Sequence, residues 1–536
     1  MKKNKSRYIS LQQYLDLYPE NINKTTNFQV KINIEDHGTD EKGGKEWTGE
    51  HKNKMEKDLT PAQKKASDIL HKPEFIFDDP TDSSSGFLYD INGTLKETGG
   101  KPERLPSKLE IKNSNGDTIG FQEDKKLLAR IDKYMEDIEV IDKTFEHLSG
   151  KIANRKYFYT EMNVSDLGYK ETYFLKQNGQ LDYGKIETDL ADIFLDKYGL
   201  VQEYMAVKTF YKEETSNPEG RILLRLDVPK GTNILAIDNE NIYLKRGSAF
   251  QVTSLSEIVS RGQSALLIDV AYFDEANNSD EILNAEIDIQ NSEDIANNLY
   301  APCFGVSTGE KVFEFRMTDK FASGVAEHAK KTLLEIKNQA ENDDSLSFFL
   351  NNVTNYMLEK KGKIIFTDMP LGYISEVQDP WFTEIEIAEN NSSAGLTNRI
   401  SRCVAINGRI ENKSYKEYKM KDTVIHELTH IQDTRICEIL YGTSNGEFYS
   451  VTNKDFEKIY FKEGKDNLPE AFFNYARSAP AEYLAEMHSY MYSNRIYYGQ
   501  SNPNMEYNIT GKKLSDIVKN RVPETVQFIK DLFKSI

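Results

Sequence analysis

The chain has 536 residues and a formal net charge of −18, which predicts several domains and disfavours nucleic acid or an anionic membrane surface as the main partner. A basic peptide, by contrast, would be attracted to such an acidic protein. The three cysteines are isolated, the N-terminus lacks an apolar signal-peptide core, and no run of about 18 apolar residues occurs; these features argue against a disulfide framework, a cysteine zinc site and stable membrane insertion.

The first stretch, residues 1–87, is rich in Lys, Asn, Asp, Gly and Ser. Its few apolar side chains cannot offset the entropy lost when a chain becomes ordered, so we predict a largely disordered leader. Two interpretations of this leader stay open. It is either a solvated tail without a role or a delivery signal.

A folded α+β region is expected from about residue 88. The stretch "SKLEIKNSNGDTIGF" predicts two short strands around an Asn-Gly turn, and "KKLLARIDKYMEDIEVIDKTFEHL" has the apolar spacing of a helix. Further strands are predicted at "KYFYTEM", "RILLRLDVP", "NIYLKRG" and "ALLIDVAYF". Residues 323–361 indicate two helices broken near "ENDD", and the strands "GKIIFTD" and "RCVAING" follow them. The strand "RCVAING" is either an unpaired edge strand that binds an extended peptide or an ordinary core strand.

The stretch "TVIHELTH" carries two histidines four positions apart on a predicted helix that ends near Gly442. His426 and His430 would therefore lie one turn apart on one face, within reach of one tetrahedral Zn²⁺. Glu427 would face away from the metal yet reach a water beside it, and so serve as the general base. The alternative is a buried helix that binds no metal.

A catalytic zinc needs a third protein ligand, and the best candidate is Glu482 in "PAEYLAEMHSYM". Glu486, one turn later on the same face, would orient a ligand histidine. His488 and Asp433 compete for the ligand role, and Glu482 could also be an ordinary surface glutamate. A metzincin arrangement fails, because it would need histidine at the position of Ile436.

Tyr475 lies seven positions before Glu482, and its hydroxyl could stabilise the oxyanion of a tetrahedral intermediate. The chain has 30 tyrosines, so position alone gives this assignment little weight.

These motifs resemble the catalytic domain of the anthrax lethal factor type of toxin metalloprotease. The stretches "KKGKIIFTDMPL", "VIHELTHIQD", "PAEYLAEMHSYM" and "RVPETVQFIKDLFKSI" occur in the order and approximate spacing of that domain, and the resemblance spans about residues 88–536. In that family two helix histidines and a later glutamate bind zinc, the motif glutamate is the base, and a tyrosine assists. The resemblance implies these roles for the five residues His426, His430, Glu482, Glu427 and Tyr475.

Residues from about 140 to 310 resemble an ADP-ribosyltransferase fold through "LLRLDVPKGTNILAI" and "ENIYLKRGSAFQVTSL". An active member would have an arginine after the tyrosine of its first strand, a Ser-Thr-Ser strand and a glutamate before a later turn. Here Thr160 follows Tyr159, Ala-Val-Lys occupies 206–208, and Asn241 replaces the glutamate. The resemblance therefore implies a degenerate domain that is retained as a scaffold for the substrate. The family's pore-docking N-terminal domain and its inserted helical repeats have no counterpart in this sequence, so the delivery partner is open.

The sequence thus predicts an α+β protein with a leader at 1–87, an ADP-ribosyltransferase-like scaffold domain at 88–310 and a zincin-type metalloprotease domain at 311–536. The predicted function is that of a zinc endopeptidase, secreted or injected by a bacterium, that cuts a host protein in the host cytoplasm. The resemblance implies the basic N-terminal tails of mitogen-activated protein kinase kinases as one candidate substrate. Two alternatives are ADP-ribosylation by the middle domain and a binding protein whose zinc is only structural. Glu427 discriminates the second alternative, because a structural zinc site needs no base.

Overall fold

A computed structural model describes residues 41–535 of the chain. Gaps in the described range lie at 73, 78–85, 106–107, 113–117, 124, 148–149, 168–171, 192–193, 196, 212–220, 261–262, 275–286, 308, 319–321, 379–392, 409–419, 444–445, 465–467, 469–473 and 498–510. The chain forms two compact units, Met1–Ile289 with Met317–Val325 and Gln290–Arg316 with Ala326–Ile536. Both units mix helices and sheets, whereas the predicted domain limits at 88–310 and 311–536 stay a prediction.

The first unit contains helices along its N-terminal half and strands throughout. Its longer helices are α1 (Glu41–Met55), α2 (Pro61–His71), α3 (Ile91–Thr98) and α4 (Lys125–Thr144), and a short helical segment follows at Tyr183–Lys185 and Ile186–Ala191. Its strands are β1 (Glu74–Phe77), β2 (Gly86–Tyr89), β3 (Lys108–Lys112), β4 (Thr118–Glu123), β5 (Lys156–Asn163), β6 (Tyr198–Val201), β7 (Met205–Val207), β8 (Arg221–Val228), β9 (Ile234–Ala236), β10 (Ile242–Leu244), β11 (Ser248–Ser260) and β12 (Gln263–Phe273).

A five-stranded sheet of order β5-β8-β12-β11-β6 forms the core of this unit. Its two middle strands, β8 and β12, are parallel, and every other neighbouring pair in it is antiparallel. The apolar runs of β8 and β12 are buried, as expected for strands covered on both faces. A second sheet has the order β7-β10-β9, and β3 and β4 form the predicted antiparallel pair.

The prediction of a disordered leader is wrong for residues 41–71, which form α1 and α2. The buried face of α1 consists of Gly44, Thr48, His51 and Met55, which have helical spacing but are mostly not apolar. His51 Nε2 lies 3.1 Å from the carbonyl oxygen of Gly150, so this buried polar side chain has a hydrogen-bond partner inside the unit. Close packing of small and hydrogen-bonded side chains therefore stabilises a helix that a hydrophobicity pattern does not reveal. Residues 1–40, and with them the question of a delivery signal, lie outside the described residues.

Gly44 provides a test of this packing. A Cβ there would lie 2.7 Å from Cδ1 of Phe210, whereas a Cβ at Gly49 would meet only the end of the Asn239 side chain at 3.0 Å. Gly44→Ala is expected to destabilise the docking of α1 by about 1–3 kcal/mol, because overpacking outweighs the better helix propensity of alanine. Gly49→Ala, the matched control, should be neutral or stabilising. Amide hydrogen exchange along α1 in the intact protein measures both effects, and equal protection in the two variants would contradict the packing described here.

The described part of the second unit contains a four-stranded sheet and several helices. Its strands are β13 (Phe313–Arg316), β14 (Ile364–Thr367), β15 (Gly395–Asn398) and β16 (Cys403–Asn407). Its helices are most of α5 (Ala322–Ala340), α6 (Asp344–Glu359), α7 (Met420–Tyr441), α8 (Tyr449–Thr452), α9 (Lys454–Ile459), α10 (Pro480–Met491), α11 (Leu514–Arg521) and α12 (Pro523–Ser535). The two helices predicted within 323–361 are thus confirmed as α5 and α6.

The sheet of the second unit has the order β13-β14-β16-β15. The first three of these strands are parallel, and β15 runs antiparallel to β16. β16, the stretch "CVAIN", is therefore a core strand, which decides between the two interpretations of "RCVAING" and overturns the open-edge one. Among the described strands, β13 and β15 are the outer ones, and the short and polar sequence "GLTN" of β15 gives a weak strand signal.

Buried polar contacts anchor the first turn of α7. Lys421 Nζ bonds Oε1 of Glu335 at 2.8 Å and donates to the carbonyl oxygen of Tyr492 at 3.1 Å. The Ser493 hydroxyl donates to the Asp422 carboxylate at 2.6 Å. These bonds connect α7 to α5 and to the residues that follow α10, so they help to fix how α7 and α10 pack. The helix ends at Tyr441, and Gly442 follows with a φ of 67°.

The three cysteines are free thiols. Within the part of the chain that the structure describes, no helix combines the length and the apolar character that a membrane span requires.

Candidate metal centre

Three side chains with metal-binding chemistry converge where α7 packs against the first turn of α10. His426 and His430 lie one turn apart on α7, their rings are nearly perpendicular, and their Nε2 atoms are 3.0 Å apart. Oε2 of Glu482 lies 3.3 Å from Nε2 of His426 and 3.5 Å from Nε2 of His430. Among the described residues, this trio is a group that could hold a metal ion.

The trio fits a zinc ion by distance and by chemistry. Ligands at about 2.0–2.1 Å in a tetrahedron are about 3.3 Å apart, which is close to the observed separations. Oε2 of Glu482 is buried and, within the described part of the chain, accepts no hydrogen bond of normal geometry. A cation between the three atoms would satisfy this oxygen and both imidazole nitrogens, and two histidines with one carboxylate are a known catalytic zinc donor set.

The charges of the metal-free trio stabilise one another. Burial would lower the pKa of His426, but the Glu482 carboxylate, with Glu486 and Glu427 nearby, outweighs it and raises this pKa to about 9. Burial likewise disfavours the charged form of Glu482, yet its polar contacts with His426 and His430 hold the pKa of that carboxyl well below its usual range. The ionised carboxylate of Glu482 therefore faces a His426 ring that is positively charged at neutral pH.

This protonation predicts how zinc affinity depends on pH. A positively charged histidine must lose one of its two ring protons to bind zinc. Below about pH 9 the ion therefore has to displace a proton from His426. The apparent affinity should rise about tenfold per pH unit through neutral pH and level off above about pH 9. Competition with a chromophoric chelator at several pH values measures this slope. Glu486→Gln, which removes one of the carboxylates that raise the pKa, should move the plateau to lower pH, and an affinity independent of pH would contradict the prediction.

Tyr475 lies beside the trio, with its ring centroid 6.0 Å from that of His426. Half of its side chain is exposed, but the hydroxyl end lies against Glu482 and Glu427. Burial of the hydroxyl, together with the charge of these two carboxylates, raises the pKa of Tyr475. The hydroxyl therefore keeps its proton at neutral pH and can act as a hydrogen-bond donor.

The two other predicted glutamates lie around His426. Glu427 is buried, and its Oε2 accepts a hydrogen bond of 2.6 Å from the hydroxyl of Thr397. Oε1 of Glu486 lies 3.6 Å from Nδ1 of His426, which is longer than a hydrogen bond but close enough for a small movement to form one. The orienting role of Glu486 stays a prediction.

The structure separates the two competing ligands from the trio. His488 is fully buried between the rings of Phe349 and Phe533, its Nδ1 lies 2.8 Å from Oγ1 of Thr429, and burial lowers its pKa to about 3. It is a core histidine. The buried carboxylate of Asp433 accepts hydrogen bonds from the backbone and hydroxyl of Ser450, and burial raises its pKa to about 6.

Sequence reasoning missed four residues at this site. Thr397 and Gly395, both on β15, contact Glu427. Phe448 places its ring centroid 5.3 Å from that of His430, and the guanidinium of Arg399 lies over the Phe448 ring at 4.6 Å. None of these residues belongs to the motif, and their proximity depends on long-range packing, so no local signal identifies them.

The first unit has its own cavity of about 500 Å³. Its lining includes Thr160, residues 206–208 and Asn241, which are the positions where the sequence departs from an active ADP-ribosyltransferase. Three separated sequence segments therefore meet at one cavity. The polar side chains in the cavity include Lys208 and Glu161.

One comparison with known proteins covers most of the chain. The chain is similar to "Lethal factor" of Bacillus anthracis. The identity is 24% over 455 residues, which cover 84% of this chain and 48% of that protein. The chain thus spans about half the length of this relative. The comparison supports a resemblance to lethal factor, whereas the roles of individual residues stay predictions. No family model matches the chain.

Solved structures of bacterial ADP-ribosyltransferases also show similarity. C3larvin toxin from Paenibacillus larvae has 16% identity, covers 41% of this chain and 99% of its own, and gives a TM-score of 0.29. The C3 exoenzyme of Clostridium limosum has 15% identity, covers 44% of this chain and 96% of its own, and gives a TM-score of 0.31. The ADP-ribosylating toxin BECa of C. perfringens has 14% identity, covers 66% of this chain and 65% of its own, and gives a TM-score of 0.32. Such low TM-scores do not establish a shared fold.

Proposed function

We propose that the chain is a zinc-dependent endopeptidase. The observation that carries this proposal is the convergence of His426, His430 and Glu482 at zinc-ligand spacing, with Glu427 and Tyr475 beside them. A structural zinc site would be closed by protein ligands and would need neither a base nor a donor next to it.

The trio would hold the zinc ion, which when bound would supply Lewis acidity. Glu427 takes a proton from the attacking water and can return it to the leaving amine. The hydroxyl of Tyr475 donates a hydrogen bond to the oxygen that gains negative charge, because its raised pKa keeps it protonated.

The edge strand β15 is the proposed docking place for an extended substrate. One side of it pairs with β16, and among the strands that the structure describes no other strand pairs with its second side. A peptide that adds to this edge would pass next to Thr397 and hence close to Glu427.

The proposed biological setting is that of a bacterial toxin or effector, secreted or injected, that cuts a protein in the host cytoplasm. It rests on the similarity to lethal factor and on the net charge of −18, which favours a basic substrate segment. The basic tails of mitogen-activated protein kinase kinases are candidate substrates. We do not expect nucleic acid as a partner, and the delivery partner is open.

Removal of the metal tests the proposed activity. Dialysis against a chelator should abolish cleavage of an unfolded basic test protein, and about one equivalent of Zn²⁺ per chain should restore it. Cleavage that survives complete loss of zinc would overturn the proposal.

ADP-ribosylation by the first unit is the second candidate, and the observation in its favour is the cavity lined by Thr160, 206–208 and Asn241. The resemblance associates an arginine and a glutamate with activity, and both of their positions hold other residues here. Incubation with labelled nicotinamide dinucleotide and host lysate should therefore give no transfer. Transfer that depends on the intact cavity would favour this candidate.

A further inference from the structure

The edge strand β15 lies directly against the middle of α7, at Glu427. Gly395 and Thr397 are two positions apart on this strand, so they face the same side of the sheet. Both of them contact the Glu427 side chain. We call these two residues the edge-strand pair.

Thr397 holds one oxygen of the carboxylate. Its hydroxyl lies 2.6 Å from Oε2 of Glu427 and 3.1 Å from the backbone carbonyl oxygen of the same residue. A hydroxyl donor bonded to an ionised carboxylate makes one of the stronger hydrogen bonds in proteins. The bond to Oε2 leaves Oε1 as the oxygen that can take a proton.

Gly395 supplies the space that the carboxylate occupies. A Cβ at this position would lie 2.6 Å from both Cγ and Oε1 of Glu427, and 2.6 Å from Cγ2 of Thr423. These distances are far below any normal contact, and Glu427 is itself buried. Gly395 is not among the glycines with a positive φ, so the site requires glycine for space and not for backbone conformation.

A free glutamate side chain samples several rotamers, and most of them would turn the carboxylate away from the reacting water. A displacement of about 1 Å in a catalytic group can reduce a rate roughly 100-fold. A base on a helix surface therefore needs contacts from another element to hold one conformation.

We propose that the edge-strand pair, Gly395 and Thr397, positions the carboxylate of Glu427 for proton transfer. This inference rests on the proposed endopeptidase function. The two residues act through Glu427, and neither of them belongs to the trio of donors. They also belong to the strand on which the substrate is proposed to dock, so the base is held by the same element that would align the peptide.

Kinetics of matched variants test the role of the hydroxyl. Thr397→Val keeps the shape but removes the donor, and it should lower kcat roughly tenfold or more while KM and zinc affinity stay within about twofold. Thr397→Ser restores a hydroxyl and should recover most of kcat. Thr367→Val is the control, because this threonine lies in β14 of the same sheet and donates to the carbonyl oxygen of Arg316. A kcat in Thr397→Val equal to that of the control, or a Ser variant no better than Val, would overturn the inference.

Crystal structures of the variants provide a readout that does not depend on activity. The Glu427 carboxylate should keep one position in the wild type and in Thr397→Ser, and it should shift or lose its single conformation in Thr397→Val and Gly395→Ala. An unchanged Glu427 in both altered variants would overturn the inference even if kcat falls. If the wild-type protein cleaves nothing, the proposed function fails, and these structures still decide whether the edge-strand pair holds Glu427.

Discussion

Glu427→Ala is expected to retain bound zinc and to lose proteolysis by a factor of roughly 10² to 10⁴, the usual contribution of a general base. The side chain supplies no atom to the trio of donors, so its removal leaves the ligands in place. It is also the group that would take the proton from the attacking water. Zinc content and kcat/KM on a peptide that the wild type cuts measure the two effects separately.

Glu427→Gln serves as the matched control for packing. It keeps the size of the side chain and an oxygen for the Thr397 hydroxyl, but it cannot accept the proton. Both variants should therefore be inactive while they remain folded. Full proteolysis in either of them would remove Glu427 from the mechanism and would favour a zinc-containing binding protein.

Glu482→Ala is expected to weaken zinc binding by more than about 100-fold. Removal of a residue that only orients a metal ligand typically lowers the metal affinity by about 10- to 100-fold. Oε2 of Glu482 lies within 3.5 Å of both ligand nitrogens, whereas Glu486 contacts His426 only from its other nitrogen. Glu486→Ala, one turn later on the same helix, is the matched control and should lose no more than about 10- to 100-fold in affinity, because Glu486 would only orient a ligand. Competition with a chromophoric chelator gives both constants.

The reverse order of these two affinities would make Glu486 the third ligand. Equal affinities near the wild-type value would mean that neither carboxylate binds the ion. His426→Ala provides the reference for loss of a proposed motif ligand, because it should abolish zinc binding and cleavage together.

The proximity of the two histidines among the proposed metal ligands could be predicted because it is local. The spacing of His426 and His430 fixes their positions once α7 is helical, and α7 is buried almost throughout. Glu482 required a second helix, which its apolar neighbours Leu484 and Ala485 indicated. The packing of α7 against α10 could not be read from periodicity. It was expected only from the need for a third ligand and from the resemblance to a known family.

The residues that hold Glu427 could not be predicted for a physical reason. Thr397 lies 30 positions before Glu427, on a short polar strand, so neither propensity nor pattern links the two. The prediction of a disordered leader was wrong for a different reason. Composition suggested disorder, yet Gly44, Thr48 and His51 give α1 a buried face through close approach and hydrogen bonds. Sequence patterns detect apolar burial well and polar or steric complementarity poorly.

The central claim is that the trio and Glu427 together form a peptidase centre. The most direct test is cleavage of a proteome-derived peptide library by the zinc-loaded protein, with zinc-loaded Glu427→Ala as the control. The proposed mechanism predicts cuts that occur only with intact Glu427, with a preference for peptides that carry basic segments. An absence of cuts by the wild-type protein, or the same cuts by the Glu427→Ala variant, would contradict it.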